Sequence, residues 1–227
     1  MSVVVVTGAT RGIGLALTDH LLRRGDEVIA TFRDDEGRRR LEALDPRRGR
    51  LLPRALEVRD VASIARFAAS LDASSVDVVI HSAGIMGAAR LQDVTSEEWL
   101  DVLSVNVLGP FHVTTALLPN LRKSARPRVI TLSSLMSCLH RKTSGHYAYR
   151  SSKAAMNKVM QLLATDLASE GIVVCPVNPG WVRTDMGGPD APLSVDESAR
   201  GLLSLVDRLT PEDSGRLWQW DGTELAW

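Results

Sequence analysis

The stretch "VVVVTGATRGIGLAL", Val3 to Leu17, decides how this chain is read. Val3 to Val6 are four β-branched residues in a row, the near-continuous apolar run of a strand covered on both faces of a parallel sheet. Gly8, Gly12 and Gly14 follow, and Ile13, Leu17 and Leu21 then recur at helical spacing. A strand that turns on glycines straight into a helix leaves the first N–H groups and the positive end of the helix dipole facing the turn. Without side chains at the glycines a ligand can approach that backbone closely, and a pyrophosphate suits the place.

Outward from the turn the alternation continues. Apolar runs at 27–32, 51–58, 76–84, 128–134 and 172–180, with a last one at 215–220, are separated by amphipathic stretches such as 154–167. Thr95 stands three residues before Glu98, the spacing of a capping box. Strand–helix alternation with right-handed crossovers predicts an α/β fold: a Rossmann-type, doubly wound parallel sheet of about seven strands with helices on both faces, residues 1–227 forming one domain. Lys+Arg (27) balances Asp+Glu (27), which leaves no basic footprint for nucleic acid and no patch for a membrane surface. No strictly apolar stretch of 18 residues and no basic leader are seen, so neither a membrane helix nor a signal peptide is expected, and a cytoplasmic protein is. Cys138 and Cys175 lack metal-ligand spacing and are expected to be free thiols, with no metal site.

A second stretch, "HYAYRSSKAAMN" (146–157), carries candidate chemistry. Tyr149 and Lys153 are four residues apart and share one face of a helix, which Tyr147 does not. An ammonium beside a phenol, whose ordinary pKa is ~10, favours phenolate and draws the group toward the working range of an acid–base catalyst. Ser134, in "LSS" at the end of the 128–134 run, falls at the carboxyl end of a strand, where parallel-sheet sites lie, and could hydrogen-bond a substrate carbonyl. Ser137 is the rival serine.

The GxxxGxG spacing of Gly8, Gly12 and Gly14, the Tyr149-x-x-x-Lys153 pair and Ser134 together resemble the short-chain dehydrogenase/reductase family over nearly the whole chain. The segments "GWVRTDMGGPDAPLSVDES" and "GRLWQWDGTELAW" resemble its carbonyl-reductase and C-factor branch. The resemblance implies reduction of a small ketone, aldehyde or quinone with NADP(H). Ser134, Tyr149 and Lys153 would be catalytic, and Asn106 would hold a helix irregularity and a water that connects the lysine to solvent. It implies a cofactor site made by Gly8, Thr10, Arg11, Gly12, Ile13 and Gly14, then Arg33, Glu57 with Val58, and Ser82, Ala83 and Gly84. Tyr149, Lys153, Pro179, Gly180, Val182 and Thr184 would complete it. Phe32 stands where an NAD enzyme holds an acid, and Arg11 with Arg33 could fork onto a 2′-phosphate. Asp34 or Asp35 serving NAD is the alternative. His81 reads as structural. Trp181, Met86, Met136 and Met186 are candidates for an apolar pocket.

The Ser134–Tyr149 spacing is about two residues longer than the family's usual one. That places extra loop, 138–146, at the substrate mouth. The family often pairs the helices carrying Asn106 and Tyr149, which implies a homodimer or homotetramer. Two competing readings remain. A nucleotide-bound regulator with secondary catalysis has no need of a complete Ser134–Tyr149–Lys153 set. The extended epimerases and dehydratases carry an added substrate domain for which 227 residues leave no room.

Overall fold

In the computed structural model, which describes residues 1–71 and 74–227, the strands are β1 (Val3–Thr7), β2 (Glu27–Phe32), β3 (Arg50–Ala55), β4 (Val78–His81), β5 (Arg128–Leu132), β6 (Val173–Asn178), β7 (Leu217–Gln219) and β8 (Glu224–Leu225). They form one sheet in the order β3-β2-β1-β4-β5-β6-β7-β8, parallel as far as β7. The order reverses between β1 and β4, which opens a crevice at their carboxyl ends.

Successive strand residues point to opposite faces, and both faces are covered. Val4 and Val6 pack with Leu17 and Leu21 of α1 (Gly12–Arg24), Leu41 of α2 (Asp35–Glu42) and Leu202 of α7 (Val195–Arg208). Val5 packs into the other layer, with Phe67 of α3 (Val61–Ala69), Leu117 of α5 (Gly109–Leu121) and Met156 of α6 (Tyr147–Asp166). Each fully buried side chain of this size stabilises the fold by ~1.5–3 kcal/mol relative to exposure. α4 (Ser96–Leu103) and a π-helical turn, Ser104–Leu108, run without a break into α5.

Three features differ from the sequence reading. The sheet has eight strands rather than about seven. β8 is only two residues long and pairs antiparallel with β7. Asp221-Gly222, with Gly222 at φ +87°, makes the hairpin turn, and the Gln219 N–H donates to the Thr223 carbonyl at 2.8 Å. The third strand ends at Ala55 instead of Val58 because the Glu57 N–H leaves the ladder for Ser63 Oγ (3.0 Å), turning the chain into α3. Finally, the helical run Ser96–Leu121 has a mean hydropathy of 1.3 over an 18-residue window, long and apolar enough to cross a membrane. Half of that window is buried inside the fold, and its inward residues Val113, Leu117 and Leu121 are fully covered as core.

Candidate active site

The glycine turn lies at the carboxyl end of β1 against the end of β4. Gly8 has φ +64°, and a methyl group there would sit 2.7 Å from the N and Cα of Ala83. A methyl on Gly14 would collide with the Gly8 carbonyl and lie 3.1 Å from Ser82 Oγ. Gly8→Ala is therefore expected to lower stability by at least ~1 kcal/mol from left-handed backbone alone, with nucleotide binding lost as well. Urea denaturation checks the first effect, and an unchanged midpoint would contradict it.

α1 starts with no capping side chain and no acid in its first turn. By contrast α2, α3, α4 and α7 start on Asp34, Asp60, Thr95 and Ser194, each of which accepts a first-turn N–H. The uncapped, glycine-lined end of α1, with Ile13 in its first turn, fits a pyrophosphate.

Thr10 abuts the start of α2: a methyl on Gly37 would lie 2.8 Å from Thr10 Cγ2 and 3.2 Å from Asp34 Oδ1. Asp34, the candidate acid for NAD, accepts from the Gly37 N–H at 2.7 Å as the α2 cap. Arg33 is exposed and has no hydrogen-bonded partner among the described residues. The Arg11 guanidinium meets Asp185 at 3.3 Å, with 57% of the Arg11 side chain exposed. A pair this open is worth ~0.2–1 kcal/mol and is readily exchanged for another anion. The Glu57 carboxylate accepts from the Arg59 backbone N–H at 3.1 Å, while Val58 packs on Gly109.

Thr184 stands over the turn, since a methyl on Gly12 would touch its Cγ2 at 3.3 Å. The Thr184 hydroxyl accepts from the Gly187 N–H (3.0 Å), and Val182 bridges to Leu193. Gly180, at φ +84°, makes the bend after Pro179, whose carbonyl accepts from Ser198 Oγ. Trp181 and Met186 are exposed beside this segment, Trp181 donating to the Gly187 carbonyl at 2.7 Å.

Tyr149 and Lys153 do share one face of α6, and the Lys153 Nζ lies 5.6 Å from the centre of the Tyr149 ring. Both are buried, at 7% and 5% exposure. Ser134 faces the Tyr149 phenol closely enough to lower its pKa. Ser137, the rival, is spent elsewhere: its hydroxyl donates to the Ser134 carbonyl and accepts from Asn157. Lys153 donates to the Leu132 carbonyl at the end of β5, at 2.7 Å. A methyl on Gly84 would lie 3.3 Å from Asn106 Oδ1 and 3.7 Å from Lys153 Nζ, so only a glycine leaves this corner open. Asn106, in the π-helical turn, accepts from the Ile85 N–H and donates to the Ile85 carbonyl and to Ser152.

The electrostatics differ from the sequence expectation in one respect. Burial raises the Tyr149 pKa above its ordinary 10.0, and Ser134 only partly opposes it. Burial also pulls Lys153 down to about 8. The ammonium makes its direct bond to a carbonyl and not to the phenol oxygen, so desolvation outweighs its attraction for phenolate. A phenol held neutral in this way can give up a proton to a basic oxygen at physiological pH. His81 is buried, pushed down to about 3 by desolvation and bonded through Nε2 to Thr114 Oγ1, which is a structural role.

Nucleotide-shaped turn and buried Ser–Tyr–Lys group occupy the same edge of one sheet, and comparison with known proteins gives this arrangement its family. The family model described as short chain dehydrogenase matches residues 2–192. The chain belongs to the short chain dehydrogenase family. Among the relatives of this short chain dehydrogenase, the C-signal of Myxococcus xanthus is 45% identical over 163 residues, covering 71% of this chain and 98% of that protein. Among solved structures, the NADPH-bound carbonyl reductase from chicken fatty liver is 33% identical with a TM-score of 0.92, covering all of both chains. The carbonyl reductase Sniffer of D. melanogaster is 31% identical with the same TM-score, covering 100% of this chain and 99% of that one. The sequence reading of this short chain dehydrogenase passed over Asn157, Ser133 and the Leu132 carbonyl. Asn157 had a signal in the sequence: it continues the i, i+4 series of Tyr149 and Lys153.

Proposed function

We propose that this short chain dehydrogenase is an NADPH-dependent reductase of a ketone, aldehyde or quinone. The observation that carries the reading is a buried Tyr149 whose pKa burial raises and Ser134 lowers, with Lys153 on the same helix face, beside a helix end open to a pyrophosphate. A nicotinamide held there would supply the hydride that reduces the carbonyl carbon. Ser134 holds and polarises the carbonyl oxygen, and Tyr149 donates its proton to that oxygen as it becomes an alcohol. Lys153 and Asn106 return a proton to the phenol through the corner left open by Gly84. A regulator that merely bound nucleotide would use the α1 end and have no call on a phenol placed against a serine.

Arg33 and Arg11 read the 2′-phosphate, Arg11 exchanging its exposed bond to Asp185 for the phosphate. Gly8 to Gly14, Ser82 to Gly84, Pro179, Gly180, Val182 and Thr184 surround the rest of the nucleotide, with Val58 at the adenine end. Glu57, which already serves Arg59, has the weaker claim on the adenine. A second copy of the chain would pack along α6 and the helical run through α4 and the π-helical turn that carries Asn106, where Leu162, Leu100 and Leu108 are exposed.

NADPH and NADH oxidation followed with a panel of ketones, aldehydes and quinones tests the reading. NADPH is expected to be consumed with at least one class and NADH more slowly. Arg33→Ala should raise KM for NADPH about tenfold, the loss of ~1.4 kcal/mol of charge-assisted bonding, with KM for NADH hardly moved. Equal effects on the two cofactors would contradict the phosphate assignment.

A further inference from the structure

A chain of buried hydrogen bonds links α6 to the segment that carries Ser134. Ser133 Oγ donates to Asn157 Oδ1 at 2.6 Å, Asn157 Nδ2 donates to Ser137 Oγ at 2.9 Å, and Ser137 Oγ donates to the Ser134 carbonyl at 2.6 Å. All three side chains are at least 96% buried. The direction of the chain is fixed: Ser137 has one proton, which goes to the Ser134 carbonyl, so the amide must present its NH2 to Ser137 and its oxygen to Ser133.

Covalent continuity does not set the distance between Ser134 and Tyr149. The connection runs through the long loop 138–146, in which 139–144 are exposed. Asn157 sits two helical turns beyond Tyr149 and bonds the hydroxyls of Ser133 and Ser137, the residues that flank Ser134. We propose that Asn157 is a positioning residue that holds Ser134 in line with the Tyr149 phenol, acting through Ser133 and Ser137. A buried asparagine that served only to satisfy the core would have no reason to affect catalysis through Ser134 alone. The inference rests on Ser134 as the group that polarises the substrate carbonyl.

The test measures kcat, KM, NADPH affinity and thermal midpoint for Ser134→Ala, Asn157→Leu and the double variant, with Ser137→Ala cutting the last two links of the chain and leaving the Ser133–Asn157 bond. Asn157→Leu is expected to lower kcat about 10- to 100-fold, the scale of an ångström's misplacement, with NADPH affinity unchanged. In the Ser134→Ala background it should cause no further loss. Ser137→Ala, which removes a single hydroxyl, keeps the test open if Asn157→Leu does not fold; it too should lower kcat, by a smaller factor, and add nothing to Ser134→Ala. The same fold-loss in both backgrounds, or no loss in wild type, would overturn the inference and leave the reductase reading standing. A Ser134→Ala enzyme that turns over at the wild-type rate would overturn the Ser134 assignment on which it rests.

Discussion

Tyr149→Phe is expected to lower carbonyl turnover by about 10²- to 10⁴-fold, the contribution of a positioned general acid, while NADPH binds as before. The substitution removes one hydroxyl and keeps the ring that fills a site of 7% exposure, so packing is preserved. What disappears is the proton donor that faces Ser134. Steady-state kinetics together with titration of NADPH fluorescence separate the two effects. A variant that keeps turnover within a few fold of wild type would show that the proton comes from elsewhere, and Tyr147 at the start of α6 would be examined next.

Lys153→Met is expected to lower kcat about 100-fold or more and to abolish its pH dependence near 8. In the wild type Lys153 is an ammonium below about pH 8 and loses its proton above it. Reduction by wild type should therefore fall as pH rises through about 8, because the group that recharges the phenol is then neutral. The linked effect on stability has the opposite slope. Burial has lowered this lysine from its ordinary 10.5, so folding disfavours its protonated form. The cost is present in full below about pH 8 and is relieved as pH rises toward 10.5. Wild-type stability should thus gain on that of Lys153→Met between pH 8 and 10.5 in urea titrations. A constant difference across that window would contradict a lowered lysine.

Local chemistry was the legible part. The strand, glycine turn and helix at Val3 to Arg24 lie within a few residues of one another, and the structure follows their pattern closely. The i, i+4 relation of Tyr149 and Lys153 is likewise a property of one helix. Features that depend on distant partners were not legible. The strand end favoured Ser134 in the sequence but left Ser137 as a rival; what engages the Ser137 hydroxyl is Asn157, 20 residues on. Arg11 is held by Asp185, 174 residues away.

The direction of the Tyr149 pKa also escaped the sequence. A neighbouring lysine can be counted from spacing, but desolvation depends on everything packed around the phenol, and here burial is the larger cause. Capping followed the same division. Thr95 does accept the Glu98 N–H, yet the Glu98 carboxylate lies against Gly87, and full capping boxes formed instead at Ser194 with Glu197 and at Thr210 with Asp213. β8 was missed because Glu224-Leu225 is too short to show a strand pattern, although Asp221-Gly222 is the strongest short hairpin signal in the tail.

Hydride transfer onto a carbonyl carbon within reach of Tyr149 is the central claim, and isotope transfer tests it most directly. NADPH deuterated at nicotinamide C4, on one face and then on the other, would be incubated with the best carbonyl of the panel, and the alcohol read by mass spectrometry. The account predicts one deuterium at the carbinol carbon from one face only, and its loss in Tyr149→Phe. An alcohol without deuterium from either face, or undiminished transfer by Tyr149→Phe, would contradict it.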